Sequence, residues 1–263
     1  MLSTRYVDGS PVWLDLSSPD LAIAQEFYTG LFGWTFDQGG PEVGGYGVFQ
    51  LSGRAAAGAM TVTPDQAPPS WNLYFQTSDI DVTARAVEHA GGTVAMAPVD
   101  VMDMGRMAAF LDPSGAAFSG WQPGTNEGLG AAGETGALCW AELYTPDTGD
   151  ALTFYGGVWG WGSSEMTFEN GAYVMVHPEG GTPDDMFAGM VPVDEDPAGA
   201  RGGPYWLPYF AVADCDATAG RATELGGTVR VPPADIPDVG RVAGFADPHG
   251  ARFAVLQPLP PQN

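Results

Sequence analysis

Apolar and polar residues alternate near the start of the chain: Val12, Leu14 and Leu16 fall on one face of a predicted strand, Trp13 and Asp15 on the other. Ser18-Pro19-Asp20 supplies a turn and a cap, and the apolar positions from Leu21 to Leu31 recur at helical spacing up to a stop at Gly33. Two or three strands follow, among them Tyr46 to Leu51 and Ala57 to Val62. The order then begins again. Trp71 to Gln76 alternates as a strand, with Trp71, Leu73 and Phe75 on one face and Asn72, Tyr74 and Gln76 on the other. A helix over Ile80 to Ala90 ends at Gly91-Gly92, and strands over Arg106 to Leu111 and Ala116 to Trp121 are joined by the turn Asp112-Pro113-Ser114-Gly115. The predicted unit is β-α-β-β-β, an α+β arrangement.

The same pattern returns further along. FYTGLFGW at Phe27 to Trp34 comes back as FYGGVWGW at Phe154 to Trp161, and VWLDLSSPD before the first copy is answered by CWAELYTPD, Cys139 to Asp147, before the second. DVMDMGRMAAFLDPSGAAF, Asp100 to Phe118, is answered by DIPDVGRVAGFADPHGARF, Asp235 to Phe253. A period of about 130 residues has the size of a whole domain and is too long for a solenoid repeat. The chain therefore divides into a first domain at 7–123, a Gly-rich polar linker at 124–136 and a second domain at 137–258. The Pro-rich tract Thr63 to Ser70 and the similar region Asp194 to Gly203 split each domain into two β-α-β-β-β modules, four in all.

Composition narrows the function. Of 263 residues 44% are hydrophobic and 16% charged, as in globular proteins, and the net charge is −23. A chain this acidic lacks the cationic clusters that nucleic acid or an anionic membrane surface requires, so neither is expected as a partner. All nine basic residues are arginine. Without lysine there is no Schiff-base catalysis and no P-loop. Cys139 and Cys215 are too few for a disulfide framework or a tetrathiolate zinc site and read as buried small residues in a reducing compartment. With no signal-peptide core and no apolar span, a cytoplasmic, soluble protein is expected.

The strand-Pro-Asp-helix-FY-x-x-L-F-G-W opening at Trp13 to Trp34 and the Asp-Pro-x-Gly turn before the last strand at Asp112 to Trp121, both recurring in the second half, resemble the vicinal oxygen chelate superfamily of glyoxalases, bleomycin-resistance proteins and extradiol dioxygenases. More closely, the tandem arrangement is similar to a two-domain actinobacterial glyoxalase-like subgroup. The resemblance implies an incomplete curled sheet of eight strands per domain around a cleft, with helices outside. In metal-binding members the cleft holds a divalent ion. The corresponding places here are Trp13, Asn72 and Ser119 in the first domain, and Trp140, Leu207 and Ala254 in the second. Those side chains do not form a donor set for zinc, iron, nickel or manganese. His89, His177 and His249 are scattered through the chain. No metal and no other cofactor is expected.

In that architecture the wetter strand faces line the clefts. Trp13, Asp15, Asn72, Tyr74, Gln76, Ser119 and Trp121 would face the first; Trp140, Glu142, Tyr144, Tyr209, Arg252 and Leu256 would face the second. Walls of Trp and Tyr with a few polar groups suit a flat, partly apolar organic molecule. Asp15 and Glu142 are the acid-base candidates, because a carboxylate beside tryptophan in a half-dry cavity has its pKa raised. Alternatively each ion-pairs with an arginine, as Glu142 with Arg252, or caps a backbone donor. Arg106 and Arg241 read as ion pairs to Asp103 or Asp238 or as anion binders. Phe27-Tyr28 and Phe154-Tyr155 read as helix core.

The function expected is a metal-independent, monomeric or homodimeric binder of an aromatic or polyketide-like molecule, for sequestration or tailoring. The alternatives are an acid-base enzyme catalysing isomerisation, hydration or ring opening through Asp15 or Glu142, and a metal-dependent lyase or dioxygenase.

Overall fold

The computed structural model describes residues 2–40, 43–63, 65–168, 171–196 and 203–259. The first module comprises β1 (Pro11–Ser18), α1 (Leu21–Phe32), β2 (Thr35–Gln38), β3 (Gly47–Leu51) and β4 (Arg54–Thr61). The second comprises β5 (Ser70–Gln76), α2 (Ile80–His89), β6 (Thr93–Val101), β7 (Gly105–Leu111) and β8 (Ala117–Pro123). In the third are β9 (Leu138–Thr145), α3 (Thr148–Trp159), β10 (Gly162–Phe168), β11 (Gly171–His177) and β12 (Ala188–Pro192). The fourth has β13 (Tyr205–Ala211), α4 (Cys215–Glu224), β14 (Thr228–Ile236), β15 (Gly240–Ala246) and β16 (Arg252–Pro258). The β-α-β-β-β order read from the residues is present four times. The tracts Thr63 to Ser70 and Asp194 to Gly203 include positions, 64 and 197–202, outside the described residues.

The strands form two open eight-stranded mixed sheets, in the orders β2-β3-β4-β1-β5-β8-β7-β6 and β10-β11-β12-β9-β13-β16-β15-β14. In every module the first strand runs parallel to the last, which sets Asp15 opposite Gly58, Tyr74 opposite Ser119, Glu142 opposite Gly189 and Tyr209 opposite Ala254.

Each helix begins at an aspartate whose carboxylate accepts backbone N–H groups of the first turn: Asp20, Asp79, Asp147 and Asp214. Gly33 and Gly160 end α1 and α3 in the left-handed conformation, at φ of 70° and 69°. The α3 helix holds because it buries Ala151, Phe154, Tyr155 and Trp159, in spite of the paired Gly156 and Gly157 in its interior.

Two compact units are present, each assembled from separated segments: Met1–Leu14, Asn72–Gly128 and Trp140–Trp206 in one, Asp15–Trp71, Leu129–Cys139 and Leu207–Asn263 in the other. The core of the first is an aromatic cluster containing Phe75, Phe118, Tyr155, Trp161 and Trp206. Inside it Trp206 Nε1–H donates to Tyr155 Oη at 3.0 Å, and Tyr155 O–H donates to Asp112 Oδ2 at 3.2 Å. The other carboxylate oxygen of Asp112 accepts the backbone N–H of Ser114, Gly115 and Ala116. The second unit repeats the device around Phe32, Trp34, Phe210 and Phe253: Trp71 Nε1–H donates to Tyr28 Oη at 3.0 Å, and Tyr28 O–H to Asp247 Oδ2 at 3.2 Å. Burial, then the neighbouring carboxylate, raises the pKa of both tyrosines, so each keeps its proton and acts as donor. Phe27-Tyr28 and Phe154-Tyr155 are helix core as expected, and each tyrosine also anchors an Asp-Pro-x-Gly turn.

The segment 124–136 contains no helix or strand, yet it is not a loose tether. Leu129 and Ala131 are buried, Gly130 and Ala131 N–H both donate to Ala55 O, and Glu134 forms an ion pair with Arg54 at 2.6 Å. Its glycines and small residues let the backbone lie close against β4, where Gly130 approaches Arg54 and Ala55.

Both cysteines are free and buried. Burial pushes the Cys139 thiol up to about 12 and the Cys215 thiol up to about 11. At pH 8 the native chain is therefore expected to take up less than about 0.1 equivalent of an aromatic disulfide reagent in minutes, and both thiols to react once denaturant is added. Fast stoichiometric reaction of the native protein would contradict the burial.

Candidate functional site

The side chains carrying the most chemistry lie around Glu142 on β9, all within one unit. Tyr144 O–H donates to Glu142 Oε2 at 2.9 Å and Tyr173 O–H donates to Oε1 at 2.7 Å. Trp140 Nε1–H in turn donates to Tyr173 Oη at 3.0 Å. Strand alternation puts Trp140, Glu142 and Tyr144 on one face of β9, as expected from the residues. Tyr173 arrives from β11, and its ring crosses β12 at Gly189, the residue opposite Glu142; a Cβ at Gly189 would collide with the Tyr173 phenol. Beyond Tyr144 the ring of Tyr205 stacks with a centroid separation of 5.0 Å and an interplanar angle of 13°, and its hydroxyl donates to buried Asp196 at 2.8 Å.

Burial, then the charge of Glu142, raises the pKa of both Tyr144 and Tyr173, so both phenols hold their protons near neutral pH. A carboxylate accepting one protonated phenol on each oxygen is fixed in orientation, since charge-assisted hydrogen bonds are stronger than neutral ones and reinforce one another in a chain. The arrangement presents a carboxylate and phenolic donors against aromatic surfaces.

The counterpart on β1 is built around Asp15. Asp15 is 2% exposed, and Tyr46 O–H donates to its Oδ2 at 3.3 Å. Tyr46 is the register equivalent of Tyr173: each lies two residues before the residue opposite Gly58 or Gly189. Trp13 is buried on β1, and Tyr74 is buried beside Ser119. Asn72 Nδ2–H donates to Ser119 Oγ at 3.0 Å. Gln76 is half-buried on β5, with its backbone paired to Gly9 and Ser10. Trp121 lies against Gly105, and its Nε1–H is committed to Asn126 O at 3.0 Å. Tyr209 and Arg252 are half-buried on β13 and β16.

Arg106 and Arg241 take partners other than the hairpin-turn residues Asp103 and Asp238. Arg106 pairs with Asp81 at 2.6 Å and Asp100 at 2.9 Å, and Arg241 with Asp216 at 2.7 Å and Asp235 at 2.9 Å. Register explains the change: Asp100 and Asp235 sit directly across the hairpin from the arginines, while Asp81 and Asp216 come from the first turns of α2 and α4. Both guanidinium groups clamp helix to hairpin. A cavity of about 320 Å³ at the β14–β15 hairpin is lined by Ile236, Pro237, Pro258 and Leu259 beside Arg241.

Sequence reading missed Tyr46, Tyr173, Tyr205 and Asp196. The signal for the first two was present: GGYGVFQ and NGAYVMV are the middle strands of equivalent modules. Tyr205 and Asp196 had no such echo, since Ser70 stands where Tyr205 would be repeated.

Residues 10–119 and 137–255 each match the Glyoxalase/Bleomycin resistance protein/Dioxygenase superfamily, and the chain belongs to that family. It is 41% identical to the anthracycline biosynthesis protein DnrV of Streptomyces peucetius over 97% of this chain and 95% of that one. It is also 41% identical to CFP32 of Mycobacterium tuberculosis, provisionally named a glyoxylase, with 98% of both chains covered. Among solved structures, the Mn(II)-bound glyoxalase from Novosphingobium aromaticivorans shares the fold at a TM-score of 0.64 and 17% identity, over 96% of this chain and 84% of that one.

The places that the family resemblance assigns to a divalent metal carry no histidine, carboxylate or thiolate. Those places carry Trp13, Asn72 and Ser119, with Asn72 and Ser119 bonded to each other, and Trp140, Leu207 and Ala254. Among the described residues, no group of three His, Cys, Asp or Glu side chains gathers elsewhere. Nor is any described helix long and apolar enough to cross a membrane.

Proposed function

We propose that the chain binds a flat aromatic molecule of the polyketide type without using a metal ion, and sequesters or tailors it. The observation that carries this reading is the Glu142 constellation: a carboxylate oriented by two protonated tyrosines, flanked by Trp140 and by the stacked Tyr144 and Tyr205. Hydroxylated polycyclic rings match it chemically, since their faces stack on aromatic side chains and their phenol and quinone oxygens donate to carboxylate or accept from tyrosine. The name of the Streptomyces relative, an anthracycline biosynthesis protein, points to the same class of molecule.

Titration with 1,4-dihydroxyanthraquinone is expected to quench tryptophan fluorescence saturably with micromolar affinity. A flat response from the folded protein, to this and to a panel of related polycyclic phenols, would sink the reading.

A second reading is favoured by the same two hydrogen bonds. A carboxylate-phenol pair is an acid-base couple, so Glu142 with Tyr173 could move a proton during isomerisation, hydration or ring opening. Asp15 with Tyr46 is the other candidate couple. Glu142→Gln separates sequestration from catalysis: turnover lost with binding kept supports the enzyme, whereas a parent chain that converts no ligand it binds supports sequestration.

A further inference from the structure

The hairpins β6–β7 and β14–β15 are copies of each other, and so are the strands β8 and β16 beside them. Their register is the same. Gly105 stands between Val101 on one side and Pro123 on the other, and Gly240 stands between Ile236 and Pro258. A glycine at the centre of such a row has no side chain to fill the space above it, so its neighbours frame a flat patch of backbone that another group can approach closely.

In the first half the chain itself supplies that group. The six-membered ring of Trp121 lies against Gly105, where a Cβ would come within 2.6 Å of Trp121 Cζ2, and the indole N–H donates to Asn126 O at 3.0 Å. In the second half Leu256 stands at the position of Trp121 and brings no ring. Here the cavity of about 320 Å³ is lined by the same row, Ile236, Gly240 and Pro258, together with Leu259, which is 48% exposed.

We propose that the cavity at Gly240 is a further small-molecule site, which seats one uncharged planar aromatic of indole size where the first half seats the ring of Trp121. The volume falls at the lower end of small-molecule sites, roughly 300 to 1,000 Å³, and suits a bicyclic ring better than a large polycycle. The walls are apolar apart from Arg241 and its acidic neighbours. The Arg241 charge is already met by Asp216 at 2.7 Å and Asp235 at 2.9 Å, so the site asks for no charge on the ligand. Planarity follows from the floor, since a flat ring lies close over a glycine backbone and against the proline rings Pro237 and Pro258. The site stands independently of the polycycle reading of the Glu142 set.

The test is a titration of the full chain, labelled at its isoleucine and leucine methyl groups, with indole. The Ile236 and Leu259 methyl resonances should shift saturably. Leu256→Trp rebuilds the arrangement of the first half and should fill the cavity with its own ring, weakening the indole response at Ile236 and Leu259 at least tenfold while the protein melts as cooperatively as the parent. Methyl resonances of Ile236 and Leu259 that stay in place at millimolar indole overturn the assignment, and so does an undiminished response in folded Leu256→Trp. Shifts confined to other parts of the chain also overturn it and leave the reading of the Glu142 set standing. The parent titration locates the ligand without any substitution, so the assignment stays falsifiable if Leu256→Trp fails to fold.

Discussion

Asp112→Ala is expected to lower the stability of the chain by about 4 kcal/mol, the scale of breaking a buried hydrogen-bond network. Asp112 is 4% exposed, and its carboxylate serves both the Asp-Pro-x-Gly turn and the helix core. One oxygen accepts three backbone N–H groups at 2.9 Å, from Ser114, Gly115 and Ala116. The other accepts Tyr155 O–H, which itself accepts Trp206 N–H. Truncation leaves those donors without their acceptor in a place water reaches poorly, so the cost is the desolvation of the donors as well as the loss of the bonds.

Tyr155→Phe alone removes only the hydroxyl and should cost about 1.5 kcal/mol. In the Asp112→Ala background it should cost much less, because the hydroxyl has already lost its acceptor. Urea unfolding of the four proteins of this cycle measures the coupling; an Asp112→Ala variant within about 1 kcal/mol of the parent would overturn the network account.

The second large effect is expected from Gly189→Val. Gly189 lies on β12 directly opposite Glu142, and a side chain there occupies the space of the Tyr173 phenol. Tyr173 then has to swing away, which removes one of the two phenols on Glu142 and the acceptor of Trp140 N–H. Overpacking of this kind costs about 2 kcal/mol of stability. Its larger consequence falls on the site, where affinity for 1,4-dihydroxyanthraquinone should drop about a hundredfold, the scale of losing a central contact residue. Fluorescence titration beside a thermal melt distinguishes the two effects. Unchanged affinity in a folded Gly189→Val protein would mean that the position of Tyr173 is immaterial to binding.

Much of the architecture is legible in short stretches of chain because the interactions that build it are local. An aspartate before each helix, the glycines after α1 and α3 and the alternation along Trp71 to Gln76 are decided within a few residues. Placing Trp140, Glu142 and Tyr144 on one face likewise needs only the period of a strand. The arginine partners were less legible. Proximity along the chain favoured Asp103 and Asp238, but cross-strand register and the approach of a helix start decided for Asp100, Asp81, Asp235 and Asp216. Trp121 shares a strand face with Ser119, yet nothing nearby in the chain announces that its indole N–H goes to Asn126 O.

By itself the sequence determined the module, its fourfold repetition, the helix boundaries and the set of residues from which a site could be drawn. Periodicity, capping and self-similarity are properties of consecutive residues. The tertiary structure alone decided which of those residues meet. It joined Tyr28 to Asp247 across 219 positions and Tyr155 to Asp112 across 43, so the helix motif and the turn motif are two ends of one buried network. It also brought Tyr173, 31 positions away, onto Glu142, and left Trp140 and Glu142 accessible while burying Trp13 and Asp15. Those outcomes depend on strand register and on how completely each side chain is covered, and both are set only when distant segments pack.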